Sequence, residues 1–139
     1  MLKKMFFVIT LFIIITASNA YAEALNNRIN DLCNALLDKD ISSIYTRNAL
    51  KDFFTTQDSL SNFIVYSNIK MRKAGFIRPV VIDCKVKDIR IGSSNADATI
   101  LIKGNGALFF KKRTTIYTRW FEEGNKWFIK TSSIVDTGK

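Results

Sequence analysis

The chain has 139 residues, 47% of them hydrophobic and 24% charged, with one proline, six glycines and two cysteines. That balance excludes a disordered, collagenous or low-complexity chain, and two cysteines are too few for a disulfide scaffold, so an apolar core must hold one domain together. The formal charge is +9 and histidine is absent, which removes the commonest general base, the Ser-His-Asp and Cys-His arrangements and most zinc sites.

Residues 1–22 read as an export signal. Lys3 and Lys4 form a positive start, and an apolar run from Met5 to Thr16 follows, interrupted only by Thr10. Ala20-Tyr21-Ala22 offers small residues at the two positions signal peptidase reads, which places the cut before Glu23. The run is short against the ~20 apolar residues of a spanning helix, so cleavage is expected rather than retention as an anchor, with no integral span afterwards. A lipoprotein would need a cysteine directly after the cut, and the first is Cys33. Removal of the signal takes away Lys3 and Lys4 and lowers the charge from +9 to +7. The expected product is a single domain over residues 23–139, periplasmic or secreted. Export speaks against nucleic acid and leaves anionic lipid head groups, acidic glycans or an acidic protein as partners of a basic surface. A plain soluble surface accounts for the same charge.

From Glu23 to Lys39 the residues Leu25, Ile29, Leu32, Cys33, Leu36 and Leu37 fall on one stripe and predict a first helix. Asp40 is placed to cap a short second helix, Ile41 to Tyr45. The stretch from Arg47 to Thr56 reads as irregular or weakly helical. A third helix is predicted from Ser59 to Lys73, burying Leu60, Phe63 and Ile64 and ending at Gly75.

After Gly75 the period changes from 3.6 to 2. Val80, Ile82, Cys84 and Val86 alternate with polar or opposite-facing residues, whereas Ile89 and Ile91 fall on the other phase. A bulge near Lys87-Asp88 is therefore expected in the first strand. Gly92 to Asn95 predicts a turn, Ala96 to Lys103 a second strand, and Gly104-Asn105-Gly106 a hairpin closure. A long third strand from Ala107 to Phe121 and a last one from Lys126 to Ile134, joined at Glu123-Gly124-Asn125, complete an antiparallel meander. Helices first and an antiparallel meander afterwards define an α+β domain.

This order resembles the nuclear-transport-factor-2-like superfamily, also called ketosteroid-isomerase-like or cystatin-like. Its local carriers are Leu36-Leu37-Asp38-Lys39-Asp40-Ile41 with Ile44-Tyr45, and Thr118-Arg119-Trp120-Phe121-Glu122-Glu123-Gly124-Asn125-Lys126-Trp127-Phe128-Ile129. The likeness covers about Leu25 to Ile134 and implies a cone-like sheet wrapped around the long helix. Such proteins include isomerases, dehydratases, non-enzymatic binders, dimers and pieces of envelope secretion machinery, so fold narrows function little.

The resemblance also implies that the first helix packs on the sheet, which brings Cys33 against Cys84. An exported chain would keep that bond, closing a loop worth roughly 3–4 kcal/mol. The alternative is two buried free thiols packing as small hydrophobes. Catalysis of the ketosteroid-isomerase kind needs a Tyr-plus-acid oxyanion site and an Asp base. Tyr45, Tyr66 and Tyr117 are available, but the acids lie at turns, caps or polar phases, and Asp83, inside an apolar strand, faces away from Cys84. No catalytic residue, cofactor or metal ligand is assigned.

Lys103, Lys111, Lys112, Arg113 and Arg119 form a basic zone with Phe109, Phe110, Tyr117, Trp120 and Trp127 nearby. Lysines on exposed strands also serve simply to blunt edges. Ile116, Thr118 and Trp120 share one face of the third strand, and Tyr117, Arg119 and Phe121 the other. Helices cover only one face. Tyr117, Arg119, Trp120 and Trp127 are thus the expected contacts for a small ligand, an envelope protein or a second copy of the chain. The functional expectation is an exported, non-catalytic binding protein. The alternatives are a small pocket enzyme of the isomerase or dehydratase type, or a component of an envelope secretion complex.

Overall fold

The computed structural model describes residues 20–131. Most of the expected leader, residues 1–19, and the last part of the expected final strand lie outside them. Helix α1, described over residues 20–36, buries Leu25, Ile29, Leu32, Cys33 and Leu36 and leaves Asn26, Asn27, Asn30 and Asp31 in water. It is already helical upstream of Glu23, and Tyr21 sets its ring edge-on against Trp127 at 4.8 Å. It stops earlier than Lys39 because Asp38 turns left-handed, with φ 59, and donates its amide to the Val81 carbonyl at 2.6 Å.

Helix α2 spans Ile44–Leu50 rather than Ile41–Tyr45. Ser43, not Asp40, is its cap: the Ser43 hydroxyl accepts from the Thr46 amide at 3.2 Å. Asp40 instead closes the preceding turn by accepting from the Ser42 amide at 2.8 Å, while Ile41 drops into the core. A short 3₁₀ turn, Lys51–Phe53, continues α2, so of the two readings of that stretch, irregular or weakly helical, the helical one holds over much of it. Helix α3, Gln57–Lys73, is capped by Thr56 and buries Leu60, Phe63, Ile64, Ser67 and Met71. It ends as expected at Gly75. The Phe76 amide donates to Met71 at 3.1 Å and the Gly75 amide to Arg72 at 3.0 Å, a Schellman closure that needs the positive φ of 93 at Gly75.

Among the described residues four strands follow: β1 (Asp83–Ile91), β2 (Asn95–Asn105), β3 (Lys111–Glu123) and β4 (Lys126–Ile129). They form one antiparallel sheet in the order β1-β2-β3-β4. The register shifts between Val86 and Asp88, where the change of phase in the sequence places the bulge. The β2–β3 connection departs from expectation. Gly104 and Asn105 are still paired, with Lys112 and Lys111, and the tip spans residues 106–110. Position 104, inside β2, takes glycine because the Phe76 ring occupies the space a Cβ would need. Phe109 and Phe110 consequently lie on the tip, not in a strand.

The core forms between the helices and one sheet face, where Ile100, Ile102, Ile116, Trp120, Trp127 and Ile129 meet Phe63, Leu60 and the α1 stripe. The Trp120 indole N–H donates to Thr118 Oγ1 at 2.7 Å, and Thr118 donates to the Ala98 carbonyl at 2.8 Å, so this buried chain of donors is satisfied. A disulfide joins Cys33 of α1 to Cys84 of β1, with the Cα atoms 5.3 Å apart. The architecture is α+β.

Candidate functional site

The outward face of the sheet is built by strand alternation: every second residue of β2 and β3 turns away from the helices, and those from Asp97 to Lys103 and from Thr115 to Phe121 stay half-buried. Register then decides which of them meet. Asp97 lies opposite Arg119, and Thr99 opposite Tyr117. Tyr117 Oη donates to Asp97 Oδ1 at 2.6 Å, Arg119 Nε donates to the same oxygen at 3.1 Å, and Arg119 Nη2 donates to Tyr117 Oη at 3.3 Å. The three side chains form a closed hydrogen-bonded triangle.

Partial loss of water pushes the Asp97 carboxyl up, but the hydrogen bonds from Tyr117 and Arg119, with the charges of Arg119 and Arg90, outweigh it and hold the group below the usual carboxylate range. Partial burial and the hydrogen bond to Asp97 push the Tyr117 phenol up. At neutral pH the pair is therefore a carboxylate accepting from a neutral phenol. Beside it, a shallow groove of about 460 Å³ is lined by Arg90, Ile91, Asn95, Asp97 and Arg119. Across β3 and β4, Phe121 packs on Phe128 with centroids 5.9 Å apart, extending the face with aromatic surface.

From behind, Tyr66 of α3 supports the cluster. Among the described residues β4 pairs β3 from Trp120 onward, and the Tyr117 amide donates to Tyr66 Oη at 3.4 Å. Tyr45, by contrast, is 78% exposed on α2.

Of the residues expected at the binding surface, Tyr117 and Arg119 come together on this face. Trp120 and Trp127 do not: they are 0% and 3% exposed, their indoles lie in the core, and neither is available to a ligand or partner. The reason is phase. Trp120 sits one residue from Arg119, and in β4 Trp127 alternates inward with Ile129. The basic zone also divides. Lys103 and Lys111 to Arg113 gather at the β2–β3 tip, whereas Arg119 lies six residues further along β3, about 20 Å away. Asp97 is one of the acids that the sequence places at turns, caps or polar phases and to which it gives no role in the site. Its polar phase in β2 was readable, but its role depends on the register that sets it opposite Arg119. Asp83 stays on the outside, 3.8 Å from Lys103.

Among the described residues no cluster of three or more His, Cys, Asp or Glu side chains is placed to hold a metal ion. No protein-family model and no curated protein matches the chain. Among solved structures, an NTF2-like transpeptidase from Campylobacter jejuni is similar at 12% identity, covering 78% of this chain and 94% of that one, with a TM-score of 0.36. A score that low carries no functional inference.

Proposed function

We propose that the chain is an exported, non-catalytic binding protein of the cell envelope, engaging a protein partner or a small ligand through the outward sheet face around Tyr117 and Arg119. The state of Asp97 carries this reading. A carboxylate that accepts two hydrogen bonds on one oxygen, and is held ionised by two guanidinium groups, is a weak base and a firm support for Arg119. The isomerase or dehydratase alternative asks the opposite of an acid, namely a raised pKa in a water-poor pocket. The half-buried Phe121–Phe128 pair beside the triangle favours a protein partner over a small polar ligand.

Export is supported by the signal-like leader and by the Cys33–Cys84 bond, which persists in an oxidising compartment. No helix of the described residues is long and apolar enough to cross a membrane. The test is purification of the tagged full chain from its native envelope, alongside Arg119→Glu and Tyr117→Glu variants whose fold is checked by circular dichroism. Loss of the co-purified component in both variants supports the reading, and unchanged recovery from folded variants rejects it.

A further inference from the structure

The β2–β3 tip breaks the local rules for a turn. Leu108 and Phe109 hold φ values of 55 and 63, in the left-handed region that glycine and asparagine occupy at least cost. Turn sequences selected for stability place those residues there. Here the positions carry a leucine and a phenylalanine, 84% and 87% exposed, followed by Phe110 at 65%. Ile77, 64% exposed, joins them, since its amide donates to the Asn105 carbonyl at the base of the tip. The result is a convex apolar knob rather than a groove.

Its surroundings are mostly basic, with Asp83 beside Lys103, 3.8 Å away, as an acid at their edge. Lys111 donates to Asn105 Oδ1 at 2.8 Å, the Lys112 stem runs along Gly75 and Gly106, and Arg113 lies opposite Lys103. Arg78 and Phe109 line one cavity of about 320 Å³ beneath the knob. Lys70, Arg72 and Lys73 occupy the last turn of α3, directly before Gly75. Neither 70–82 nor 98–121 contains an acidic residue.

We propose that this end of the molecule docks on an anionic lipid surface, the Leu108-Phe109-Phe110 knob entering the interface while the surrounding lysines and arginines meet the head groups. A protruding apolar tip within a cationic collar matches a layer whose outside is anionic and whose inside is apolar. A second copy is a poor occupant, because symmetric pairing through the knob would face two identical cationic collars. The docking surface is separate from the Tyr117–Arg119 face, so it neither requires nor excludes the binding role of that face.

The experiment uses the full exported chain and sedimentation with phosphatidylcholine vesicles, with and without phosphatidylglycerol. Binding is expected only with the anionic lipid and should weaken with salt, each basic residue near the surface being worth about fivefold. Lys111→Gln with Lys112→Gln should therefore weaken it about twentyfold or more. Leu108→Asn with Phe109→Gly suits the left-handed backbone, so it should keep or raise Tm while weakening vesicle binding about tenfold or more. A Phe109→Trp reporter should shift its emission to the blue on anionic vesicles. Equal binding to both vesicle types, no binding to either, or wild-type binding by the Asn/Gly variant overturns the proposal. So does an Asn/Gly variant that loses self-association by light scattering while no vesicle binds, which would assign the knob to a second copy. A reporter shift produced by polyglutamate but not by vesicles would assign it to an acidic protein.

Discussion

Ser67 and Thr118 are both fully buried hydroxyl residues, yet they contribute in opposite directions. Thr118 accepts from the Trp120 indole and donates to the Ala98 carbonyl, so its hydroxyl completes a chain. Ser67 Oγ, in the middle of α3, has no hydrogen-bond partner among the described residues. Removing the first strands a buried N–H, whereas removing the second relieves a desolvated hydroxyl. Thr118→Val is expected to cost about 1–3 kcal/mol in urea unfolding. Ser67→Ala, which also improves helix propensity, should be neutral or stabilise by up to about 1 kcal/mol. A clear loss of stability in Ser67→Ala would show that its hydroxyl is satisfied by something else, such as an internal water. Neither role could be read from sequence. A threonine on the inward phase of β3 and a serine on the inward stripe of α3 look alike until the neighbouring tryptophan is placed.

Among the elements, the ends and joins depart from sequence expectation more than the bodies. Periodicity located α3, the bulge of β1 and the Gly124-Asn125 turn, whose φ values of 59 and 63 suit a tight hairpin. It misplaced the α2 cap because Asp40 and Ser43 are both good caps, and burial of Ile41 decides between them. It likewise closed the β2–β3 hairpin too early, since the glycine at 104 answers to Phe76, a contact from another part of the chain. Long separation also hides the clasp between α1, the 3₁₀ turn and β4. Asp52 bonds Arg28 at 2.9 Å and Lys126 as well, while Arg28 lies over the Phe53 ring at 4.1 Å and donates to the Trp127 carbonyl at 3.1 Å. The hydrogen bonds from Lys126 and Arg28 hold the Asp52 carboxyl below its ordinary range. A depressed folded-state pKa stabilises above the unfolded value, near 3.9, and that contribution is lost as the pH falls through the folded one. Because Asp52 is largely exposed, solvent limits the effect to about 1 kcal/mol or less. Asp52→Asn should flatten the acid limb of the stability–pH curve by that amount and leave neutral-pH spectra unchanged. An unchanged acid limb would show that the clasp is fully screened.

For the molecule as a whole, the α+β class was legible because two periods, 3.6 and 2, divide the chain cleanly near Gly75, whereas helix-on-sheet packing came from the family resemblance. The Cys33–Cys84 pairing was implied only by the family resemblance, with two free thiols as the alternative; the bond is present and joins the layers across 51 residues. Reduction, or Cys33→Ser with Cys84→Ser, is expected to lower stability by about 3–4 kcal/mol, measured by urea unfolding. A much smaller loss would mean that the apolar core alone fixes α1 on the sheet. Export makes a sharper demand on the same interface. The cut expected before Glu23 falls within the described helix and removes Tyr21, whose ring covers the edge of Trp127 at 4.8 Å. An edge-to-face aromatic pair is worth about 0.5–1.5 kcal/mol, so the released domain should be slightly less stable than the uncut chain. It should also show redder tryptophan emission, because one side of Trp127 then faces water. Two measurements on native material decide the point. Mass analysis should find a first residue of Glu23, and the emission of that material should match a recombinant 23–139 chain rather than the uncut one. An intact Met1 in the native protein would instead mean that the leader stays attached, with Tyr21 held against Trp127 in the working molecule.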